Sequence, residues 1–114
     1  MEDPREILLG AYRDFNARRL EAVLARMTPD VVWPSGMEGG YVYGHDGVRD
    51  YWTRQWAMLD PQVDPVSMQE DDGGRIVVTV RQRVRDLDGK VVVDRVVRHA
   101  FSLREGLIRR MDIE

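Results

Sequence analysis

The first part of the chain places apolar side chains at helical spacing. Between residues 5 and 27 they recur three or four positions apart, which predicts helices with one buried face. These apolar positions are Ile7, Leu8, Tyr12, Phe15, Leu20, Val23, Leu24 and Met27. The polar stretch 16–19 predicts a break, and therefore two short helices. Pro29 is expected to end the second one, because the residue before a proline avoids the helical region.

A short strand, a loop and a third helix are predicted next. Val31–Trp33 has strand composition and is closed by Pro34. Residues 34–47 form a glycine-rich loop, and Asp46 is the expected N-cap of the third helix. The stripe expected on that helix consists of Val48, Tyr51, Trp52, Gln55, Trp56 and Leu59. Asp60 and Pro61 would then stop the helix.

From residue 62 onward apolar and polar residues alternate with a period of two, as in half-buried strands. Asp88-Gly89 predicts a hairpin with a two-residue type I′ turn. This turn places Gln82 opposite Arg95 and Val78 opposite His99 on the inner face. On the outer face it places Arg83 opposite Asp94, within an arginine stripe formed by Arg81, Arg83 and Arg85.

A second hairpin is predicted at residues 104–106. A three-residue loop with Gly106 in the left-handed conformation puts His99 opposite Met111 and Arg98 opposite Asp112. A two-residue loop would aim Asp112 at His99. We favour the longer loop because it buries only one charged residue of the last strand, Arg109. The whole pattern predicts one α+β domain over residues 1–114, with three N-terminal helices packed on one concave face of the sheet.

Composition removes several classes of function. The 114 residues carry a net charge of -3 and no cysteine, which excludes disulfides and disfavours binding to nucleic acid. Apolar runs are too short to span a membrane, and the first residues do not resemble a signal peptide, so we expect a cytoplasmic protein. Nucleotide-binding motifs are absent, and the two histidines have no carboxylates at ligand spacing. We therefore expect neither a metal nor a cofactor.

Three polar residues, Gln82, Arg95 and His99, interrupt the predicted inner face. A buried polar group without a partner costs about 1–3 kcal/mol, so three together favour a cavity that water or a ligand enters. A satisfied internal network is the alternative. His99 is the candidate for proton transfer because the free imidazole titrates near pH ~6.5, although a structural histidine remains the alternative. His45 is expected to act as a capping or surface residue.

Aromatic residues are concentrated in the first half of the chain. Trp52 and Trp56 lie at helical spacing, while Tyr41 and Tyr43 lie in the glycine-rich loop. Loop aromatics are typical either of a rim over an apolar ligand or of a dimer contact. We expect Trp33, Tyr43, Trp52 and Trp56 to form apolar walls around a ligand.

Five segments together resemble one superfamily. They are residues 12–18 (YRDFNAR), 20–23 (LEAV), 29–33 (PDVVW), 44–48 (GHDGV) and 99–108 (HAFSLREGLI). The chain resembles the nuclear transport factor 2-like superfamily, in its SnoaL-like and ketosteroid isomerase-like branch. This resemblance implies a curved antiparallel or mixed sheet wrapped around a long helix, a cone-shaped hydrophobic pocket and a homodimer formed through the sheet face.

The resemblance does not imply one reaction. Ketosteroid isomerases use an aspartate whose position falls at about Ser35 here, while Tyr12 is about one residue out of register with their oxyanion-hole tyrosine. His99 occupies the position of their central-strand carboxylic acid. Steroid isomerisation is therefore not expected to transfer.

We predict a small-molecule-binding SnoaL-like protein that acts as an isomerase, cyclase or lyase on an apolar carbonyl compound, with His99 as acid and base. The expected substrate-binding residues are Arg95, Gln82, Trp33, Tyr43, Trp52, Trp56, Tyr12 and Met111. Within this set, Arg95 and Gln82 would hold the substrate's oxygen. The alternative is a non-catalytic ligand-binding or dimerisation module, which the missing carboxylate base favours.

Overall fold

The computed structural model describes residues 3–114 as three helices packed on a six-stranded mixed sheet. The helices are α1 (Pro4–Asn16), α2 (Leu20–Leu24) and α3 (Gly44–Met58). The strands are β1 (Met27–Pro34), β2 (Tyr41–Tyr43), β3 (Leu59–Glu70), β4 (Ile76–Asp86), β5 (Val91–Arg104) and β6 (Leu107–Ile113). Their order in the sheet is β2-β1-β6-β5-β4-β3, and only the β1–β6 pair among the described strands is parallel. The predicted α+β class is confirmed.

The first two helices follow the sequence pattern closely. The Asp3 carboxylate caps α1 by accepting the backbone N–H of Arg5 at 2.9 Å. The chain breaks between α1 and α2 at Arg18, whose φ of 61° lies in the left-handed region. The prediction for Pro29 was wrong, because α2 already ends at Leu24. Pro29 instead lies within β1, in the stretch where pairing with β6 is irregular and a missing N–H breaks no regular ladder.

The start of α3 also differs from the prediction. Asp46 is not the N-cap, since α3 begins at Gly44 and Tyr43 occupies the cap position without a side-chain hydrogen bond. The reason is β2, a short strand that the glycine-rich sequence concealed and that runs directly into the helix. His45 accordingly lies in the first turn, with its Nε2 3.1 Å from the Met27 carbonyl oxygen.

The β4–β5 hairpin has the predicted register but a different turn. Gln82 pairs with Arg95 and Val78 with His99, as predicted. The two-residue type I′ turn was wrong, because the backbone N–H of Asp86 bonds to the Lys90 carbonyl and encloses the three residues 87–89. A bulge in β5 beside the turn adds one residue and restores the predicted pairing.

The outer face of this hairpin carries the arginine stripe. Arg83 lies opposite Asp94, as predicted. Arg81 makes the shorter contact, with its Nη2 3.1 Å from the same carboxylate. One aspartate therefore pairs with two arginines of the stripe, and one positive charge is left over.

The β5–β6 hairpin corrects the second turn prediction. Glu105 and Gly106 both have positive φ, at 53° and 80°, so the loop has two residues rather than three. A register shift next to the turn lets Ile108 and Met111 both point inward and leaves Arg109 exposed. The charged residue that the longer loop would have buried thus stays in water.

This shift also changes the partners of the inner residues. His99 pairs with Ile113, and Met111 pairs with Phe101. Asp112 lies opposite Ala100, so both predicted positions for it, beside Arg98 and beside His99, were wrong. Its carboxylate accepts instead from the Tyr41 hydroxyl, at 2.6 Å.

β3 forms one edge of the sheet and is tied to the end of α1. The side-chain amide of Asn16 donates to the Val63 carbonyl at 2.7 Å and accepts the Val63 N–H at 3.0 Å. The alternating pattern did not delimit this strand, because prolines interrupt it at Pro61 and Pro65. The main core lies between the helices and the sheet, around Leu8, Trp52 and Phe101.

No helix within residues 3–114 is both long and apolar enough to cross a bilayer.

Candidate functional site

A cavity of about 220 Å³ lies between the sheet and helices α1 and α3. At one end its walls are mostly aromatic, and all of them except the half-buried Trp33 are buried. These walls are formed by Tyr12, Trp33, Trp52, His99, Phe101 and Met111. Trp33 and Trp52 meet edge to face, with ring centroids 5.4 Å apart. This end of the cavity suits a flat, apolar ligand.

Tyr12 and His99 form a polar pair at the buried end. The Tyr12 hydroxyl, from α1, lies 2.7 Å from His99 Nδ1, from β5. Their rings are nearly parallel, with an interplanar angle of 10°. Both residues are buried, at 6% and 7% exposure, and Phe101 packs edge-on against both rings. Packing therefore fixes the geometry of this hydrogen bond.

Burial holds both groups of the pair in their neutral forms. It lowers the pKa of His99 to about 4 and raises the pKa of Tyr12 above its usual value. At pH 7 the pair accordingly contains one phenol and one neutral imidazole. His99 is thus a weaker base than the free imidazole on which the sequence-based expectation rested.

A neutral imidazole allows the pair two proton arrangements. In the first, the phenol donates to Nδ1 and the ring presents an Nε2–H donor. In the second, Nδ1–H donates to the phenol oxygen, which leaves the phenol proton and the Nε2 lone pair available. Nε2 has no hydrogen-bond partner among the described residues, and His99 lines the cavity. The second arrangement thus offers a ligand one donor and one base.

The other end of the cavity is exposed and carries a charge. Arg95 Nε donates to Gln82 Oε1 at 3.0 Å, across the β4–β5 pair. Arg95 is the one formally charged residue among the described lining residues, which include no aspartate or glutamate. Val92, from the bulge near the turn, lies beside this end and is 50% exposed.

Most of the residues predicted to bind substrate come together in this cavity. Those that line it are Tyr12, Trp33, Trp52, Gln82, Arg95, His99 and Met111. The remaining two do not. Tyr43 lies on the edge strand β2 and is 67% exposed, and Trp56 stacks on the outer side of Trp52 under the guanidinium of Arg18. Helical spacing placed Trp56 on the cavity side of α3, but its neighbours Gln55 and Leu59 line the cavity instead.

Sequence reasoning overlooked several lining residues. Phe101 is two positions after His99 on the same strand face, so the period of two contained the signal for it. Phe15 and Tyr51 belong to predicted helix stripes, and no sequence signal separated cavity walls from ordinary core. Ser35, the position corresponding to the isomerase aspartate, is buried but is not among the lining residues.

The glycine-rich loop borders the cavity. Met37 lines it and donates its backbone N–H to the Tyr51 hydroxyl at 2.9 Å. Glu38 in the same loop forms a two-pronged ion pair with Arg54 of α3, at 2.9 and 2.8 Å. Two adjacent residues thus fasten the loop to α3.

Metal-ligating residues do not cluster in the described part of the chain. Within residues 3–114 no group of three or more histidine, aspartate or glutamate side chains is placed to hold an ion.

The chain belongs to the SnoaL-like domain family, whose model matches residues 9–111. The resemblance stated from the sequence is therefore confirmed. No curated protein sequence matches the chain significantly.

Solved structures share the whole fold. TerC, co-crystallised with polyporic acid, is 29% identical with a TM-score of 0.83, over 97% of this chain and 89% of TerC. An NTF2-like protein from Burkholderia pseudomallei K96243 is 26% identical with a TM-score of 0.84, over 100% of this chain and 91% of the other. A provisionally assigned polyketide cyclase from Pseudomonas putida KT2440 has a TM-score of 0.85 at 16% identity, over 100% and 92% of the two chains. This protein thus has the NTF2-like fold.

Proposed function

We propose that this protein binds a small apolar carbonyl compound in the cavity and catalyses its isomerisation or cyclisation by proton transfer at Tyr12 and His99. The observation that carries the proposal is the hydrogen-bonded Tyr12–His99 pair at the buried end of an apolar cavity. Membership of the SnoaL-like family and the co-crystallisation of TerC with polyporic acid support the binding of a small molecule. The cavity is smaller than the ~300–1,000 Å³ of most ligand pockets, so a small ligand is expected.

The proposed chemistry uses the arrangement in which Nδ1–H of His99 donates to the phenol oxygen. Nε2 then takes a proton from the carbon next to the substrate's carbonyl, while the Tyr12 O–H donates to the oxygen on which negative charge develops. The imidazolium and the enolate form as an adjacent pair, which offsets the low basicity of the buried ring. Return of the proton to a different carbon completes an isomerisation. In a cyclisation, the enolate carbon attacks a second carbonyl of the same molecule, and the alkoxide formed there takes the proton back from the imidazolium.

Hydrogen exchange provides a test that needs no knowledge of the natural substrate. Apolar ketones and lactones that carry a C–H next to the carbonyl are incubated with the protein in D₂O, and deuterium incorporation at that carbon is followed by NMR. We expect exchange in the wild type, a loss of at least ~100-fold in His99→Ala, and a smaller loss in Tyr12→Phe. Arg98→Gln, on the opposite face of β5, serves as the control. Full exchange by His99→Ala would remove the catalytic role.

A second candidate function is a non-catalytic binding module. It is favoured by the pKa of His99, which at about 4 makes a poor base, and by the lack of a carboxylate among the described lining residues. In that case probes would quench the fluorescence of Trp33 and Trp52 without any deuterium incorporation. The same set of samples therefore separates the two functions.

We further propose that residues 1–114 act as a single cytoplasmic domain that forms a homodimer through the outer face of the sheet. Val96, on the face opposite the cavity, is 65% exposed, which supports an apolar contact there. Light scattering after gel filtration is expected to give twice the mass of the chain, and Val96→Glu is expected to give the monomer. A monomeric wild type would exclude the dimer. Cell fractionation tests the proposed cytoplasmic location.

A further inference from the structure

Arg95 differs from most arginines of this protein in having no acidic partner. In the described structure, most arginines outside the cavity, such as Arg54 and Arg110, pair with a carboxylate. Arg95 instead donates its Nε to the neutral amide oxygen of Gln82 and makes no ion pair within residues 3–114. Because the amide engages only Nε, the two terminal nitrogens remain available for an end-on, two-pronged contact with a carboxylate.

The surroundings of Arg95 increase its preference for an anion. It is the single formally charged group among the described residues that line the cavity. An apolar lining next to a guanidinium keeps the local dielectric constant below that of water, which strengthens attraction to a negative ligand group. No lining carboxylate competes for that contact.

The sheet fixes the distance between this charge and the chemical end of the cavity. Arg95 and His99 are four residues apart on the same face of β5, about 13 Å between backbones at ~3.3 Å per residue. One apolar pair, Val80 with Val97, lies between them in the sheet, and the other described lining residues are mostly apolar, Phe15 and Val63 among them. A ligand that reaches both ends is therefore extended, apolar in its middle and polar at each end.

We infer that the ligand of this protein is an elongated aromatic or apolar carboxylate, held by Arg95 at its acidic end and by Tyr12 and His99 at an oxygen at its other end. The inference rests on the proposed function, because it assigns the ligand to the same cavity. It adds a chemical class and an orientation to that function. The acidic group lies at the exposed end, and the reacting oxygen lies at the buried end.

Two matched probes test this inference. The carboxylate is 4′-hydroxybiphenyl-4-carboxylate, and the neutral probe of the same shape is 4′-hydroxybiphenyl-4-carboxamide. Each is titrated into the protein at pH 7 and low salt, and binding is followed by quenching of tryptophan fluorescence. We expect the wild type to bind the carboxylate about tenfold more tightly than the amide, as one charge-assisted contact at a partly exposed site would give.

Three variants test whether Arg95 causes the preference for the carboxylate probe over the amide probe. Arg95→Gln is expected to bind both probes equally, with the affinity for the amide unchanged. Arg98→Gln removes an equal charge from the other face of the same strand and is expected to keep the tenfold preference. Tyr12→Phe is expected to weaken both probes by the same factor.

Each outcome separates this inference from the proposed function. Equal binding of the two probes by the wild type, or equal weakening of both in Arg95→Gln, overturns the inference and leaves the small-molecule function standing. If neither probe binds while neutral ketones do, the inference alone fails. If no apolar probe of any charge binds, both fail.

Discussion

The two ends of the cavity each hold a pair of polar side chains, yet the pairs differ in protonation and in exposure. Tyr12 and His99 are buried and neutral, whereas Arg95 is exposed and charged. Only the apolar pair of Val80 and Val97 separates them along the sheet. The comparison shows that burial sets the protonation state of the Tyr12–His99 pair, whereas the guanidinium at the exposed end keeps its charge. The following experiments change one end and use the other as reference.

The largest expected difference between the two ends is in the free energy of unfolding that side-chain packing contributes. Phe101→Ala at the buried end removes a ring that is 2% exposed and contacts both Tyr12 and His99. We expect it to lower the free energy of unfolding by about 3–5 kcal/mol, measured by urea denaturation. Val92→Ala, at the exposed end, is the control and should cost less than about 0.5 kcal/mol. Similar small losses for both would mean that the buried end is not part of the core.

The next largest effect depends on pH. The pKa of His99 is lowered by burial to about 4, while the unfolded chain keeps a value near 6.5. Between these two values only the unfolded state binds the proton, so stability falls as the pH decreases. The contribution of the neutral His99 ring to the free energy of unfolding is fully present above about pH 6.5 and is lost by about pH 4. It amounts to about 3 kcal/mol at most.

Urea denaturation of the wild type and of His99→Gln is repeated at several pH values from 4 to 7. The contribution of His99 is the difference between the two proteins in how steeply the free energy of unfolding changes with pH. An NMR titration of the ring, assigned by the signal missing from His99→Gln, gives the pKa directly. A midpoint at pH 6 or above would show that water reaches His99 freely.

A moderate effect is expected from breaking the hydrogen bond of the buried pair. Tyr12→Phe keeps the ring but leaves Nδ1 of His99 without its partner, which should cost about 1–3 kcal/mol of stability. Gln82→Leu removes the corresponding partner at the exposed end, where water replaces the lost contact, and should cost less. Equal costs, compared by thermal or urea unfolding, would contradict the proposed difference in depth.

The smallest effect on stability is expected for Arg95→Gln. Because the guanidinium is exposed and makes no ion pair in the described structure, its removal should change the free energy of unfolding by no more than about 0.5 kcal/mol. The same variant should remove the preference for a carboxylate ligand. A substantial loss of stability would instead show that Arg95 has a structural role.

The sequence predicted the strands of the central hairpin and their pairing because strict alternation permits one register with the apolar set inside. It predicted both turns incorrectly, since a bulge can compensate for one residue more or less in the loop, as the extra residue at Val92 does. It also concealed β2, which has only three residues between glycines, and the start of β3, whose prolines are atypical of strands.

The candidate site, like the fold, could be predicted only where the spacing along a strand determines it. Gln82, Arg95 and His99 could be placed on one face from spacing alone. The contact between Tyr12 and His99 joins residues 87 positions apart, and it depends on how α1 lies across the sheet. Sequence periodicity contains no information about that crossing. The depth of each side chain, and with it the pKa of His99, follows from the same tertiary arrangement.

The bond between Asn16 and Val63 has a consequence for how molecules of this protein meet one another. β3 is an edge strand, and an edge with free N–H groups can recruit a strand from another molecule. Residues 61, 63 and 65 direct their backbone nitrogens to the same side. Pro61 and Pro65 have no N–H to offer, and the N–H of Val63 is taken by Asn16. This stretch of the edge therefore presents no donor to a second chain, which protects the protein against aggregation by strand addition.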